Sequence, residues 1–365
     1  MKFKELLLFV FVTITAVALL VNAPETMTTT REAIQSCATS VVPSLMAFMI
    51  VASFVSESSC GDLLGKILPT RFLFNLPQNC GKAILLSMLG GYPCGAKMIA
   101  NMLKKDEIDI KTAQRMLNFC INASPAYVIS AIGIGLFGNA KIGAIIWLSH
   151  ISTALLIGVI FRGKPAVEKA HHSIHLPIAD SFVKSVLDST NTMIAISGFV
   201  ITFSVTLTLL KQIGVATLVT NILNLLTKDG STSKALFDAF FDVVVGSETC
   251  LDCSPVTAVV LCAGAVSFGG MSILSQIAYL LSGQKMNFVQ IILFRLVHAV
   301  LTATTVYIII GITDTEVTTA NLIASNVTDT PTGYVTTVLF VLSCVSFLVT
   351  VDKGVLTLVQ RRRKL

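Results

Sequence analysis

The chain has 365 residues, of which 54% are apolar and only 13% charged, with a mean hydropathy of +0.81. A soluble domain carries roughly twice that charge fraction, so the composition points to a membrane protein without a separate soluble catalytic domain. The net charge of +6 is no nucleic-acid signal, because much of it sits in Arg361, Arg362, Arg363 and Lys364 beside the last apolar segment, where it orients the chain.

In chain order, the first apolar segment is 5–21, preceded by Lys2 and Lys4 and followed by Asn22-Ala23 in the manner of a signal peptide. Cleavage after Ala23 would put Pro24 first, which disfavours processing, so a retained transmembrane helix is expected. Segment 40–55 contains Pro43. Segment 83–103 is broken at 90–95, and 113–137 is interrupted by Asn122-Ala123-Ser124-Pro125. Segments 141–161 and 191–210 flank a polar stretch, 162–190, with Arg162, Lys164, Lys169, Lys184, His171, His172 and His175. The excess of basic residues makes this linker cytoplasmic, together with the N-terminus and the basic tail.

The second half continues with shorter, amphipathic segments at 213–226 and 234–245, then 255–281 (broken at 267–272), 288–310 and 334–351. Residues 311–333 carry Asp314, Glu316 and Asp329 but no lysine or arginine, so they are expected outside. A bilayer crossing takes about 20 apolar residues, which gives about eight to ten crossings, with the short and broken pieces as candidates for re-entry. The domain reading is an N-terminal half 1–161, the linker 162–190 and a C-terminal half 191–365. Cys250-Leu251-Asp252-Cys253 is a lone CxxC without a second pair at zinc-like spacing. It reads as small residues packed at a helix end, and no metal site is expected.

Interrupted apolar segments at matching places in two halves point to a substrate site built from half-helices. Setting Gly95 against Gly270 aligns the halves and pairs Asn101 with Gln276. Lys97 lies one turn inside a buried segment, where a lysine costs about 2.5–3.5 kcal/mol on insertion scales and therefore marks function. Amides freed after Gly95 would form a positive helix N-terminus suited to a carboxylate. Arg295 and His298 share a helical face, and the Arg295 fork matches a carboxylate. Ser272 with Gln276, and Asn122 with Ser124, present hydrogen-bonding groups beside the breaks, as ligand contacts or as helix-packing groups. Asp242 and Glu248 are candidates to exchange a proton or coupling ion.

At these residues a family resemblance appears. Gly91-Tyr92-Pro93-Cys94-Gly95-Ala96-Lys97 resembles the Gly-Tyr-Pro-x-Gly-Ala-Lys signature of the YlbJ family of sporulation integral membrane proteins, grouped with nucleoside-recognition Gate domains. Residues 118–125 resemble its Phe-x-x-Asn-x-Ser-Pro helix, residues 270–276 its Gly-x-Ser-x-x-x-Gln segment, and Arg295-Leu296-Val297-His298 its following helix. The resemblance covers roughly 41–307. Asp242 departs from it, standing where the family has a glutamate.

The resemblance implies an all-α, polytopic transmembrane bundle with broken or re-entrant helices and two related halves. It further implies a secondary transporter of a small anion, dipicolinic acid being the linked substrate class, in a multi-pass cell-membrane location. In a sporulating cell this would be the outer forespore membrane. Tyr92, Gly95, Lys97, Asn122, Ser124, Ser272, Gln276 and Arg295 would contact substrate, and Asp242, Glu248 and His298 would serve a coupling ion or proton. The expected partners are the substrate, the bilayer and a further copy in a homo-oligomer, with no nucleic acid and no cofactor.

Three other readings compete. A Gate-domain nucleoside transporter would use the Asn, Gln and Ser hydrogen bonds, and a membrane scaffold of the spore envelope would tolerate loss of Lys97 or Arg295. An intramembrane serine protease would pair Ser272 with His298, which needs a base within about 3 Å. No Walker, HExxH or dinucleotide motif occurs, and no enzymatic activity is expected.

Overall fold

Proline and short capping side chains punctuate the helices of this chain. Pro24, Pro43, Pro93 and Pro255 sit in first turns, where their missing N–H costs nothing. Asp109, Asn139, Asp229 and Asp242 cap helix starts by accepting backbone N–H bonds. The computed structural model describes residues 3–58, 60–166 and 177–313, and every regular element in them is helical. The histidine trio and Lys169, the acidic loop residues Asp314, Glu316 and Asp329, segment 334–351 and the basic tail lie outside the described residues.

The order is α1 (Phe3–Val21), α2 (Ala23–Ser36), a π-turn (Cys37–Val41), α3 (Val42–Glu57), α4 (Cys60–Gly65) and α5 (Thr70–Phe74). Then come α6 (Gly81–Leu89), α7 (Tyr92–Lys104), α8 (Ile110–Leu117), a π-helix (Ala126–Leu136) and α9 (Ala140–Ile160). The second half holds α10 (Ile178–Gln212), α11 (Val215–Thr227), α12 (Gly230–Phe241) and α13 (Val243–Thr249). It closes with α14 (Pro255–Phe268), α15 (Gly270–Leu280) and α16 (Phe288–Thr313). By length and composition α9, α10, the broken pair α14–α15 and α16 are each long and apolar enough to cross a membrane.

One plan runs twice: a long helix, a short connection, a helical hairpin, a broken helix and a closing helix. The long helices α2–α3 and α10 run antiparallel, since Thr29 meets Thr208 at one end and Glu57 meets Lys184 at the other. The hairpin α6–α7 opens toward the Glu57 end. Lys82 and Glu107 close its base at 2.6 Å, and Lys105 pairs with Glu57. The hairpin α12–α13 opens toward the opposite end, where Lys211 of α10 pairs with Asp238 and Lys234 with Asp252. The broken helices are α8 with the π-helix, and α14 with α15. The closing helices α9 and α16 pack antiparallel, with Thr153 on Thr302 and Phe161 on Phe294.

This arrangement corrects the alignment of halves read from the sequence. The Gly90-Gly91 break is a hairpin tip, and its counterpart is the Phe241–Asp242 tip; the 267–270 break corresponds to residues 118–125. A further difference is that α10 begins at Ile178, inside the stretch read as polar linker. The buried stripe there is Ser181, Ser185 and Ser189, at helical spacing, packed toward α3 with its buried Ser53 and Ser56. Small residues allow two backbones to approach, and a serine stripe gives no hydropathy signal.

Candidate functional site

The two hairpin tips and two helix breaks meet around a cavity of about 550 Å³. Gly91, Tyr92 and Pro93 come from the first tip, and Asp242, Val243 and Val244 from the second. Ser124, Ala126 and Tyr127 follow the first break; Ser272, Ile273 and Gln276 follow the second. Leu45, Ile196 and Val200 of the long helices form an apolar wall.

The backbone explains why the tip lies here. Gly91 has φ +86° and ψ 174°, a region open essentially to glycine, which turns the chain from α6 into α7. Helix α7 therefore starts at Tyr92, not after Gly95, which corrects the expected N-terminus. The starts of α7, α15 and the π-helix all border the cavity, so their N–H ends contribute partial positive charge to it.

Six of the sequence-predicted residues line this cavity: Tyr92, Ser124, Asp242, Glu248, Ser272 and Gln276. Asp242 is buried, caps α13 through the N–H groups of Val244 (2.8 Å) and Val245 (3.3 Å), and lines the cavity with Ser272. Gln276 Nε2 in turn donates to Ser272 Oγ at 3.4 Å. The Tyr92 hydroxyl donates to the Val266 carbonyl (2.7 Å), joining the first hairpin tip to the second broken helix.

The other five lie off the cavity. Lys97 donates to the Asp188 carbonyl and Thr192 Oγ1 of α10, both at 3.0 Å. Gly95 lies against the first break: a Cβ there would run into the Cys120 carbonyl oxygen. Asn122 donates to the Phe119 carbonyl and Ser87 Oγ. Arg295 is fully buried and donates to the carbonyls of Phe268 and Ile121, one at each break, and to His298 Nδ1.

His298 belongs to the same brace. Because its Nδ1 accepts from Arg295, its Nε2–H donates to the His150 carbonyl (2.9 Å). The His150 Nε2 accepts the Ala123 N–H (3.0 Å), so its Nδ1–H donates to Ser267 Oγ (2.8 Å). Both rings are thus neutral, and the chain of bonds ties residues 121–123 to 267–268. Ser272 and His298 share no hydrogen bond, and the described residues contain no cluster of three His, Cys, Asp or Glu side chains suited to a metal.

Sequence reasoning did not pick out Tyr127 and Ser247, which both line the cavity. Tyr127 lies two residues after Pro125, so proximity to that break was the available signal, whereas Ser247 lies five residues after Asp242, at a tip that neither glycine nor proline marks. His150, which joins Ala123 to Ser267, holds the two breaks together.

Among known proteins, the chain is 25% identical to the sporulation integral membrane protein YlbJ of Bacillus subtilis, over 72% of this chain and 72% of the relative. No family model matches the chain, and no solved structure matches it. With its apolar helices and this relative, the chain is an integral membrane protein. Over most of its length it is similar to a member of the YlbJ family.

Proposed function

We propose that this protein is a secondary transporter that moves a small carboxylate metabolite, of the dipicolinic acid class, across a membrane during spore formation. The observation that carries the reading is the pair of hairpins entering from opposite ends, with both tips at one cavity. Half-helices that converge from inverted repeats are the means by which transporters bind substrate at the midplane and expose it alternately. The cavity is large enough for an aromatic dicarboxylate, and helix N-termini suit its carboxylates.

The end with Lys105, Lys111, Arg115, Arg162, Lys164 and Lys184 would be cytoplasmic by its basic residues. The chain would then be multi-pass, with the hairpin α6–α7 entering from the cytoplasm. In a sporulating cell the outer forespore membrane suits this role. The reading involves no enzymatic step and no cofactor.

One observation favours a second reading. Among the described residues, the charged side chains lining the cavity are Asp242 and Glu248, with no lysine or arginine. Neutral donors and acceptors with an acid suit a nucleoside, as the Gate-domain resemblance implies. Uptake of radiolabelled dipicolinate into liposomes holding the purified protein, with a nucleoside alongside, tests both. Dipicolinate uptake is expected; nucleoside uptake alone would replace the first reading with the second. Uptake of neither, under proton and sodium gradients of both signs, would overturn transport.

A further inference from the structure

A carboxylate substrate in this cavity meets an electrostatic problem. The bases expected to receive it are engaged elsewhere: Lys97 with α10, and Arg295 with the two breaks. What faces the cavity is acidic: Asp242, 4% exposed, at the second hairpin tip, and Glu248 further along α13. A carboxylate docked at the starts of α7 and α15 therefore lies in one enclosure with a like charge, and in apolar surroundings that repulsion is only weakly screened.

The surroundings of Asp242 supply acceptors. Both capping bonds fall on its Oδ1. Ser272 lies beside it, and Gln276, four residues further on the same face of α15, is only 2% exposed. The Gln276 Nε2 is used on Ser272, while its Oε1 has no partner among the described residues. An amide oxygen without a protein donor, on the wall of a cavity, is an acceptor open to a ligand. Carboxylate, hydroxyl and amide oxygens form the donor set of hard cations.

We propose that the cavity binds its carboxylate substrate together with a hard metal cation, held at Asp242 by the oxygens of Ser272 and Gln276. This rests on the reading of the cavity as a transport site. The cation cancels the Asp242 charge and bridges it to the substrate carboxylate, so an anion is accepted without a lysine or arginine in contact. Substrate and cation then bind with positive coupling.

The test uses the full-length protein in lipid nanodiscs, in sodium, calcium or choline chloride at matched ionic strength. Thermal unfolding is followed first without substrate. Sodium or calcium is expected to raise the midpoint over choline, and Asp242→Asn, which keeps the capping oxygen, is expected to abolish the rise. Gln276→Leu leaves the cap untouched and is expected to diminish the rise, so the test survives if the Asp242 variant misfolds. Dipicolinate titrated by calorimetry is expected to bind about tenfold more tightly with the effective cation than in choline.

Equal midpoints and equal dipicolinate affinity in all three salts would overturn the proposal. So would tightening on acidification in choline alone, because a proton would then neutralise Asp242. A cation response that needs Asp242, without uptake in liposomes, would leave the cation site standing and remove transport. Uptake with no cation response would do the reverse.

Discussion

The hairpins α6–α7 and α12–α13 share a backbone plan and differ in chemistry. The first is closed at its base by the buried pair Lys82–Glu107, and its tip is the uncharged Gly90-Gly91. The second is closed by Thr249 donating to buried Asp238, which also receives Lys211 from the long helix α10. Its tip is Asp242, an acid that caps its own returning helix. Repetition thus supplies the geometry of a two-sided cavity, while the charge that faces it comes from one half. Arg295 balances the arrangement by placing a guanidinium against the carbonyls of both breaks, where half-helix ends carry partial negative charge.

Substitutions can break this comparison, and the largest effect is expected at the base of the first hairpin. Lys82→Ala leaves Glu107 charged and buried, at a cost of about 3–5 kcal/mol, whereas the double change Lys82→Met with Glu107→Leu recovers most of it. Denaturation in detergent of the three variants measures this, and an additive double mutant would contradict it. At the contact of α7 with the first break, Gly95→Ala brings a Cβ against the Cys120 carbonyl. A loss of about 1–3 kcal/mol is expected in the same assay, and wild-type stability would show that the contact is not as tight as described.

The second tip is expected to be more tolerant. Asp242→Ala removes the cap of α13 at a cost of about 1 kcal/mol, and Asp242→Asn is close to neutral for stability. Equal losses in the two variants would mean that the charge, not the cap, holds the tip. Smallest of all is the exposed pair Lys234–Asp252 at 3.2 Å, where Lys234→Ala is expected to cost about 0–1 kcal/mol and less in high salt. A larger loss would show that the second hairpin is held at its base as firmly as the first.

Much of this architecture was legible in the sequence, for identifiable reasons. Glycine and proline inside apolar segments marked Gly90-Gly91, residues 118–125 and the 267–272 break, because those residues end helices whatever surrounds them. Four of the cavity residues, Tyr92, Ser124, Ser272 and Gln276, stood beside those breaks. The second hairpin was harder to see: its tip has no glycine or proline, and α12 and α13 are too short and polar for a hydropathy reading. That hid the correct pairing of breaks. Lys97 and Arg295 were noticed for their charge, but charge does not reveal direction, and their partners are backbone carbonyls that no sequence pattern records. The early start of α10 was missed because serines, not apolar residues, form its buried stripe.

The central claim is that the two hairpins enter from opposite faces of the membrane. It is tested most directly by single cysteines at exposed positions, in a background with the native cysteines replaced, labelled in sealed vesicles of known orientation. Lys104→Cys lies at the base of the first hairpin and Asp252→Cys at that of the second. A membrane-impermeant thiol reagent is expected to label the first from the cytoplasmic face and the second from the opposite face. Labelling of both from the same face would contradict the inverted arrangement and the transport reading built on it.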